Sequence, residues 1–244
     1  MFTMLKHPIG IALASLLLIS AGSPNASGAE LRVGKLRVGK ILFLGNSITL
    51  HAPAPNIGWT GNWGMAATAQ DRDYVHVLLS RIAEAAGGKP EIKVRNIAEF
   101  ERKLSAYNVK DELKEELAFK ADLVIIAIGE NATSPKSDEQ KHQFETAFRD
   151  LLNELKQHGQ PTIFVRSQFW QDTDKDQLMN RCSQATGAIF VDISRLGQEE
   201  TNYARSEQKI EHSGVAGHPG DKGMQALAGA LWQAMRAYAQ LESK

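Results

Sequence analysis

Short apolar runs alternate with longer amphipathic stretches along most of the chain. Runs of this kind, bounded by turn residues, are typical of buried strands. They predict five strands, which lie at residues 41–44, 91–97, 123–128, 162–165 and 189–192. Apolar residues at helical spacing predict five helices between or after these strands, at residues 73–86, 110–119, 137–158, 174–186 and 221–241.

Strands that alternate with helices imply βαβ units and a parallel sheet that is covered by helices on both faces. We therefore predict an α/β fold, a flavodoxin-like three-layer sandwich whose five-stranded sheet has the order 2-1-3-4-5. In that order the first and third strands are neighbours, and ligands bind at their carboxyl ends. Ser47 follows the first strand and Asn131 follows the third. Both side chains are therefore expected to face one crevice.

The first 29 residues have the layout of a secretory signal. Lys6 precedes an apolar run at residues 9–19, and small and polar residues then lead to Ala29. This pattern predicts a signal peptide at residues 1–29 that is cleaved after Ala29, followed by one domain at residues 30–244. The alternative is an uncleaved anchor, although the apolar run is short for crossing a bilayer. A cleaved signal implies a protein that works outside the cytoplasm, either periplasmic or secreted.

Composition limits the classes of partner. The chain has 244 residues, of which 43% are hydrophobic, and this suits one domain with a sizeable core. Its formal net charge is zero, so no overall field favours nucleic acid or an anionic membrane. We predict no nucleic-acid partner and no membrane association once the signal is cleaved. The single cysteine, Cys182, cannot form an internal disulfide and is expected in the core. The oligomeric state is left open.

Ser47 and His218 are the candidate nucleophile and base. A serine hydroxyl is a poor nucleophile until a base takes its proton, and His218 lies in a Gly/Pro-rich segment just before the last helix. The alternative is a turn serine that caps a helix and a solvated surface histidine. Attack on an ester builds negative charge on the carbonyl oxygen, which needs hydrogen-bond donors. The side-chain amide of Asn131 and the backbone N–H of Ser47 are the candidate donors.

Three short segments resemble the conserved blocks of the SGNH hydrolases, also called the GDSL esterase/lipase family. They are Gly45-Asn46-Ser47, Gly129-Glu130-Asn131 and His218-Pro219, in the family's order and on the expected elements. The resemblance implies a flavodoxin-like sandwich, an acyl-serine intermediate and no cofactor or metal. It implies Ser47 as nucleophile and His218 as base, with Ser47 and Asn131 in the oxyanion hole.

The chain departs from the family pattern in two places. The family's second block normally supplies a glycine whose N–H completes the oxyanion hole, and here Glu101 stands about where that glycine would be. Its backbone N–H is the remaining candidate. An aspartate normally stands three residues before the histidine, and here that residue is Val215. We expect a backbone carbonyl before His218, such as that of Val215, to hold the imidazole in a Ser-His dyad. Asp221 and Asp192 are the weaker alternatives.

A long loop at residues 51–72 contains Trp59 and Trp63. These tryptophans either stack on a bound sugar or fasten the loop to the core. Residues 58–64 resemble a subset of secreted bacterial members, many of them associated with carbohydrate esters. The leading expectation is an extracytoplasmic serine esterase that removes acyl groups, most of all acetyl, from a carbohydrate or another small ester. The alternatives are a non-catalytic carbohydrate-binding protein on the same fold and an unrelated flavodoxin-like module.

Overall fold

The computed structural model describes Met1 and residues 30–240. The apolar run and the cleavage site of the predicted signal peptide lie outside the described residues, as does the end of the last predicted helix at residue 241. Between residues 30 and 240, no helix has both the length and the apolar character that crossing a membrane requires.

The chain alternates strands and helices in the predicted manner. The strands are β1 (Arg32–Val33), β2 (Leu36–Arg37), β3 (Lys40–Gly45), β4 (Glu91–Asn96), β5 (Leu123–Ala127), β6 (Thr162–Arg166) and β7 (Ile189–Val191). The α-helices are α1 (Tyr74–Ala86), α2 (Ala98–Lys103), α3 (Val109–Glu112), α4 (Lys114–Ala118), α5 (Asp138–Gln157), α6 (Thr173–Thr186), α7 (Ser213–Ala216) and α8 (Asp221–Gln240).

Five of the strands form one parallel sheet in the order β4-β3-β5-β6-β7. Numbered along the chain within that sheet, the order is 2-1-3-4-5, and the predicted fold class is therefore confirmed. β3 and β5 are neighbours, with Gly45 opposite Ala127 at their carboxyl ends. Strands β1 and β2 pair with each other as a separate antiparallel hairpin.

Both faces of the sheet are covered, which explains why its central strands are apolar throughout. In β3, Ile41 and Phe43 pack into the layer that α1 and α8 cover. Leu42 and Leu44 point to the opposite layer, which α5 and α6 cover. Alternate residues of a strand point to opposite faces, so a strand between two helical layers must be apolar at every position. Cys182 lies in the second layer, buried and unpaired as predicted.

Three helical segments differ from the prediction. The helix predicted at residues 110–119 is divided into α3 and α4. The segment after β4 was expected to be a loop but forms α2, whose first N–H, at Ala98, donates to Asn96 Oδ1 at 2.9 Å. The segment before His218 was also expected to be a loop and forms α7, which is capped by the His212 side chain. Hydrogen bonds to side chains near the first turn help to stabilise helices that are too short to show an apolar period.

Candidate active site

Ser47 and His218 meet at the carboxyl edge of the sheet although they are 171 positions apart in the sequence. Ser47 Oγ lies 2.8 Å from His218 Nε2, which is hydrogen-bond distance. Ser47 comes two residues after the end of β3, and His218 lies between α7 and α8. The chain therefore holds a serine and a histidine in the contact that proton transfer from nucleophile to base requires.

A backbone carbonyl fixes the tautomer of His218. The Nδ1 atom lies 2.7 Å from the carbonyl oxygen of Gly214. A carbonyl only accepts hydrogen bonds, so the ring proton must lie on Nδ1 and Nε2 is left as the acceptor that faces Ser47. The acceptor is not the Val215 carbonyl suggested by the sequence. That carbonyl accepts from the backbone N–H of His218 at 3.0 Å, because α7 turns the chain there.

Trp170 forms one wall of the His218 site. The two rings meet edge to face with centroids 5.1 Å apart, and the Trp170 indole N–H donates to the carbonyl of Gly217 at 3.1 Å. Burial lowers the pKa of His218 below its usual value, and the neighbouring His51 lowers it further, whereas the bond to Gly214 acts in the opposite direction. The imidazole is therefore neutral at pH 7, which is the form that accepts a proton.

This lowered pKa predicts the acid side of the activity profile. A base must be deprotonated, so the rate falls only as pH drops through the pKa of His218. We expect kcat/KM for an ester to be flat near neutrality, with its acid midpoint below about 6.5, the ordinary value for histidine. Steady-state hydrolysis of an aryl acetate across the acidic range measures it.

His51→Gln is the matched test of the cause. Removing this neighbour removes one influence that lowers the His218 pKa, so the acid midpoint should move to higher pH. A midpoint in the unmodified protein above that of free histidine, or a shift to lower pH in His51→Gln, would contradict the assignment.

Asn131 lies after β5, where the sequence placed it, and lines the same cleft as Ser47 and His218. Its Nδ2 donates to Glu101 Oε2 at 2.8 Å, and its Oδ1 accepts from Arg102 Nη2 at 3.4 Å. The Asn131 amide is thus held on one side, with its other Nδ2 hydrogen not used by these bonds. Among residues 30–240, no protein group accepts from the Ser47 N–H. Both candidate oxyanion donors are therefore free to bind a ligand oxygen.

Two glycines, which follow or end the strands beside the cleft, stand where the neighbouring side chains leave no room for a Cβ. A Cβ on Gly45 would lie 1.8 Å from Thr49 Oγ1, a distance that no side chain tolerates. Gly129 has a φ of +121°, and a Cβ there would lie 2.8 Å from Gln168 Cγ. Position 45 excludes a side chain by packing, whereas position 129 excludes it by both packing and backbone conformation.

Comparison with solved structures finds proteins of the same architecture. A GDSL-like lipase from Bacteroides ovatus has a TM-score of 0.53 at 12% identity, and the match covers 82% of this chain and 99% of that one. A GDSL-like lipase from Bacteroides uniformis has a TM-score of 0.51 at 13% identity over 81% and 95% of the two chains. The chain has the SGNH hydrolase fold. This confirms the resemblance at the level of fold.

A third similar structure is a two-domain esterase that is active on acetylated mannans and was co-crystallized with mannopentaose. It has a TM-score of 0.51 at 15% identity over 84% of this chain and 51% of that one. The chain therefore spans about half the length of that esterase. No protein-family model matches the sequence, and no curated protein matches it either.

Within this SGNH fold, the aspartates considered as substitutes for the missing acid lie elsewhere. Asp221 accepts from the backbone N–H and the hydroxyl of Thr68, at 2.8 and 2.6 Å. Asp192 accepts from the backbone N–H of Ser194 and the hydroxyl of Ser167. Neither carboxylate contacts His218, whose Nδ1 is occupied by the Gly214 carbonyl. The geometry is that of the predicted dyad.

Glu101 lies below the cleft and not in its lining. It belongs to α2, and the residue is 2% exposed. Glu101 is the fourth residue of α2. Its backbone N–H is therefore the first in the helix that can donate to a carbonyl four residues earlier. The role of this N–H in the oxyanion hole stays a prediction. The cleft lining instead includes Ala98 and Glu99, at the start of the same helix.

Trp59 and Trp63 also lie outside the lining of the Ser47 cleft. Their rings meet edge to face at 5.7 Å, and their indole N–H groups donate to the backbone carbonyls of His51 and Ala67. Trp59 is buried in a small apolar cluster that includes Val215. The structure shows these tryptophans fastening the loop to the domain. A role in stacking on a sugar stays a prediction, and their exposed edges line a separate depression.

The cleft around Ser47 has a volume of about 400 Å³ and mixes polar and apolar walls. His51 and His212 line it as well, although no feature of the sequence separates them from surface histidines. His212 and Ile57 also line a second, larger depression, which therefore lies beside the cleft. The described residues contain no group of three or more His, Cys, Asp or Glu side chains that is placed to hold a metal ion.

A buried ion pair lies under the cleft. Glu130 Oε1 and Arg166 Nη1 are 2.6 Å apart, and both side chains are almost inaccessible to solvent. Burial acts to raise the pKa of Glu130, but the Arg166 charge and the hydrogen bonds outweigh it, and the net pKa is lowered. Lys175 donates to the carbonyls of Gly129 and Ala132, and so holds the loop that carries Asn131. This cluster was not predicted from the sequence, although Glu130 and Arg166 are charged residues at or just beyond the ends of buried strands, which was a usable signal.

Proposed function

We propose that the protein is an extracytoplasmic serine esterase that removes acyl groups, most of all acetyl, from carbohydrate. The observation that carries this proposal is the 2.8 Å contact between Ser47 Oγ and an Nε2 atom that can only accept. The likeness to an esterase that is active on acetylated mannans favours a carbohydrate ester. The signal-like N-terminus favours a place of action outside the cytoplasm.

The reaction follows from these positions. Ser47 Oγ attacks the ester carbonyl carbon and passes its proton to His218 Nε2, while the N–H of Ser47 and the amide of Asn131 bind the carbonyl oxygen as it becomes negative. The intermediate collapses, the sugar oxygen leaves with the proton from Nε2, and the acyl group stays on Ser47. Water then attacks this ester and loses its proton to Nε2. The acid is released and Ser47 Oγ regains its proton.

The Gly214 carbonyl replaces the carboxylate in this scheme. It holds the tautomer but carries no full charge, so it stabilises the imidazolium that forms in each step less than an aspartate would. This difference favours a second function, a carbohydrate-binding protein that keeps the cleft without turnover.

Acetate release separates the two functions. An esterase should release acetate from an aryl acetate and from acetylated oligosaccharides, and a rapid quench should trap a protein heavier by one acyl group, located on Ser47. Binding of the oligosaccharide without acetate release would support the second function and overturn the first.

A further inference from the structure

Four N–H groups converge on the carboxylate of Glu101. Its Oε1 accepts from the backbone N–H groups of Gly129 and Asn131, at 2.5 and 3.0 Å, and from Asn46 Nδ2 at 3.3 Å. Its Oε2 accepts from Asn131 Nδ2 at 2.8 Å. One side chain of α2 therefore joins the turn that carries the nucleophile to the loop that carries the candidate oxyanion donor.

The bonds from Asn131 fix both the backbone and the side chain of that residue. With one Nδ2 hydrogen on Glu101 and Oδ1 toward Arg102, the planar amide cannot rotate without breaking a bond to the carboxylate. Asn46 has a second acceptor, since its Nδ2 also donates to Glu130 Oε2 at 2.7 Å. Its Oδ1 accepts from the N–H of Ile48 at 3.1 Å and so closes the turn around Ser47.

Burying the carboxylate of Glu101 costs free energy. Its side chain is almost fully buried, and within residues 30–240 it forms no ion pair, because Arg166 is paired with Glu130. Burial raises the pKa of Glu101 and the nearby Glu130 raises it further, while the bonds from Asn131 and Gly129 lower it. A buried carboxylate that only N–H donors compensate costs free energy that an apolar residue would not.

We propose that Glu101 is a positioning residue that holds Asn131 and the Ser47 turn in fixed register, so that the Asn131 amide is aimed before the ester binds. This inference rests on the proposed esterase function. Prepositioned donors need no reorganisation as charge develops, and an error of 1 Å in such a group can cost about 100-fold in rate.

Glu101→Gln is the direct test. The substitution keeps the size of the side chain but turns one acceptor oxygen into an NH2 group, which would face the NH2 of Asn131 or the N–H groups of the loop. We expect kcat to fall by about 10- to 100-fold with little change in KM, because the donor acts in the transition state. Glu112→Gln removes an equal charge from the exposed surface of α3 and should change neither parameter.

A double-mutant cycle with Asn131→Ala tests whether Glu101 acts through that residue. Asn131→Ala alone should lower kcat by about 100- to 1,000-fold, the usual effect of removing an oxyanion donor. Adding Glu101→Gln to it should then lower kcat by less than about threefold, because residues that act as a unit are not additive. An equal loss in both backgrounds, or no loss in either, would overturn the proposal.

Glu101→Asp separates position from charge. It keeps the carboxylate but withdraws it by one methylene, so kcat should fall as in Glu101→Gln. Recovery of the full rate in this variant would show that charge alone matters and would overturn the positioning role. It also gives a second measurement if Glu101→Gln fails to fold.

The side-chain amide signals of Asn131 in an NMR spectrum give a readout that does not need turnover. The hydrogen bonded to Glu101 should shift in Glu101→Gln and stay unchanged in Glu112→Gln. If the unmodified protein proves inactive, the proposed function fails while this spectrum still decides whether Glu101 holds Asn131. Unchanged Asn131 signals in Glu101→Gln would overturn the inference whatever the activity.

Discussion

Ser47→Ala is expected to reduce ester hydrolysis by about 10⁴-fold or more, because it removes the one hydroxyl that contacts His218 Nε2 among residues 30–240. The residual rate should resemble catalysis by the oxyanion donors and binding alone. The free energy of unfolding should change by less than about 1 kcal/mol, since Ser47 is partly exposed and its Oγ is part of no core cluster. Initial rates with an aryl acetate and thermal unfolding measure the two effects.

Ser105→Ala is the matched control for that loss. Ser105 is exposed in the turn that follows α2 and does not line the cleft, so its replacement should leave rate and stability unchanged. Trapping of the acyl group should also disappear in Ser47→Ala and persist in Ser105→Ala. Full turnover in folded Ser47→Ala would place the nucleophile elsewhere and remove the basis for the proposed mechanism.

His218→Ala should cause the second large loss, of similar size, because within the described part of the chain only His218 lies at hydrogen-bond distance from Ser47 Oγ. Asp221→Asn and Asp192→Asn should each retain most of the rate, since both carboxylates bind backbone and hydroxyl groups away from the imidazole. In the proposed dyad, the Gly214 carbonyl takes the place of a carboxylate at Nδ1 of the ring. The measurement is kcat/KM for the three variants on one ester.

The two aspartate variants need a check of folding, because Asp221 links α8 to Thr68. Rates are therefore compared on protein whose thermal unfolding is cooperative. A loss of several hundredfold in either folded aspartate variant would show that a carboxylate acts on His218 after all. The dyad assignment would then be wrong.

The sequence predicted the sheet because every strand in it has a local signal. Residues 123–128 are apolar at every position, as a strand that is covered on both faces requires. The predicted strand order was then enough to place Ser47 and Asn131 at one edge of the sheet, because it makes the strands before them neighbours. The meeting of Ser47 with His218 followed from a motif, since nothing local to His218 distinguishes it from a surface histidine.

The parts that escaped prediction depend on groups with no signature in the sequence. The Gly214 carbonyl that orients His218 is a backbone atom, which every residue has, and only the turn of α7 aims it. Glu101 was considered for its N–H, whereas its carboxylate makes the contacts, across 28 to 55 positions of sequence. Trp170 follows β6 at the same sheet edge as Ser47. That position was a usable signal for its contact with His218.

The burial of Val215 limits how this site can change over evolutionary time. Its side chain packs with Trp59, Met65 and Ala66, so an aspartate substituted there alone would enter an apolar cluster. It would cost several kcal/mol as an unpaired buried charge, and the Gly214 carbonyl would still occupy Nδ1. A change from a Ser-His dyad to a Ser-His-Asp triad therefore requires α7 and the loop at residues 51–72 to change together. Related proteins that have an aspartate at position 215 should also differ from this chain at the residues packed around Trp59.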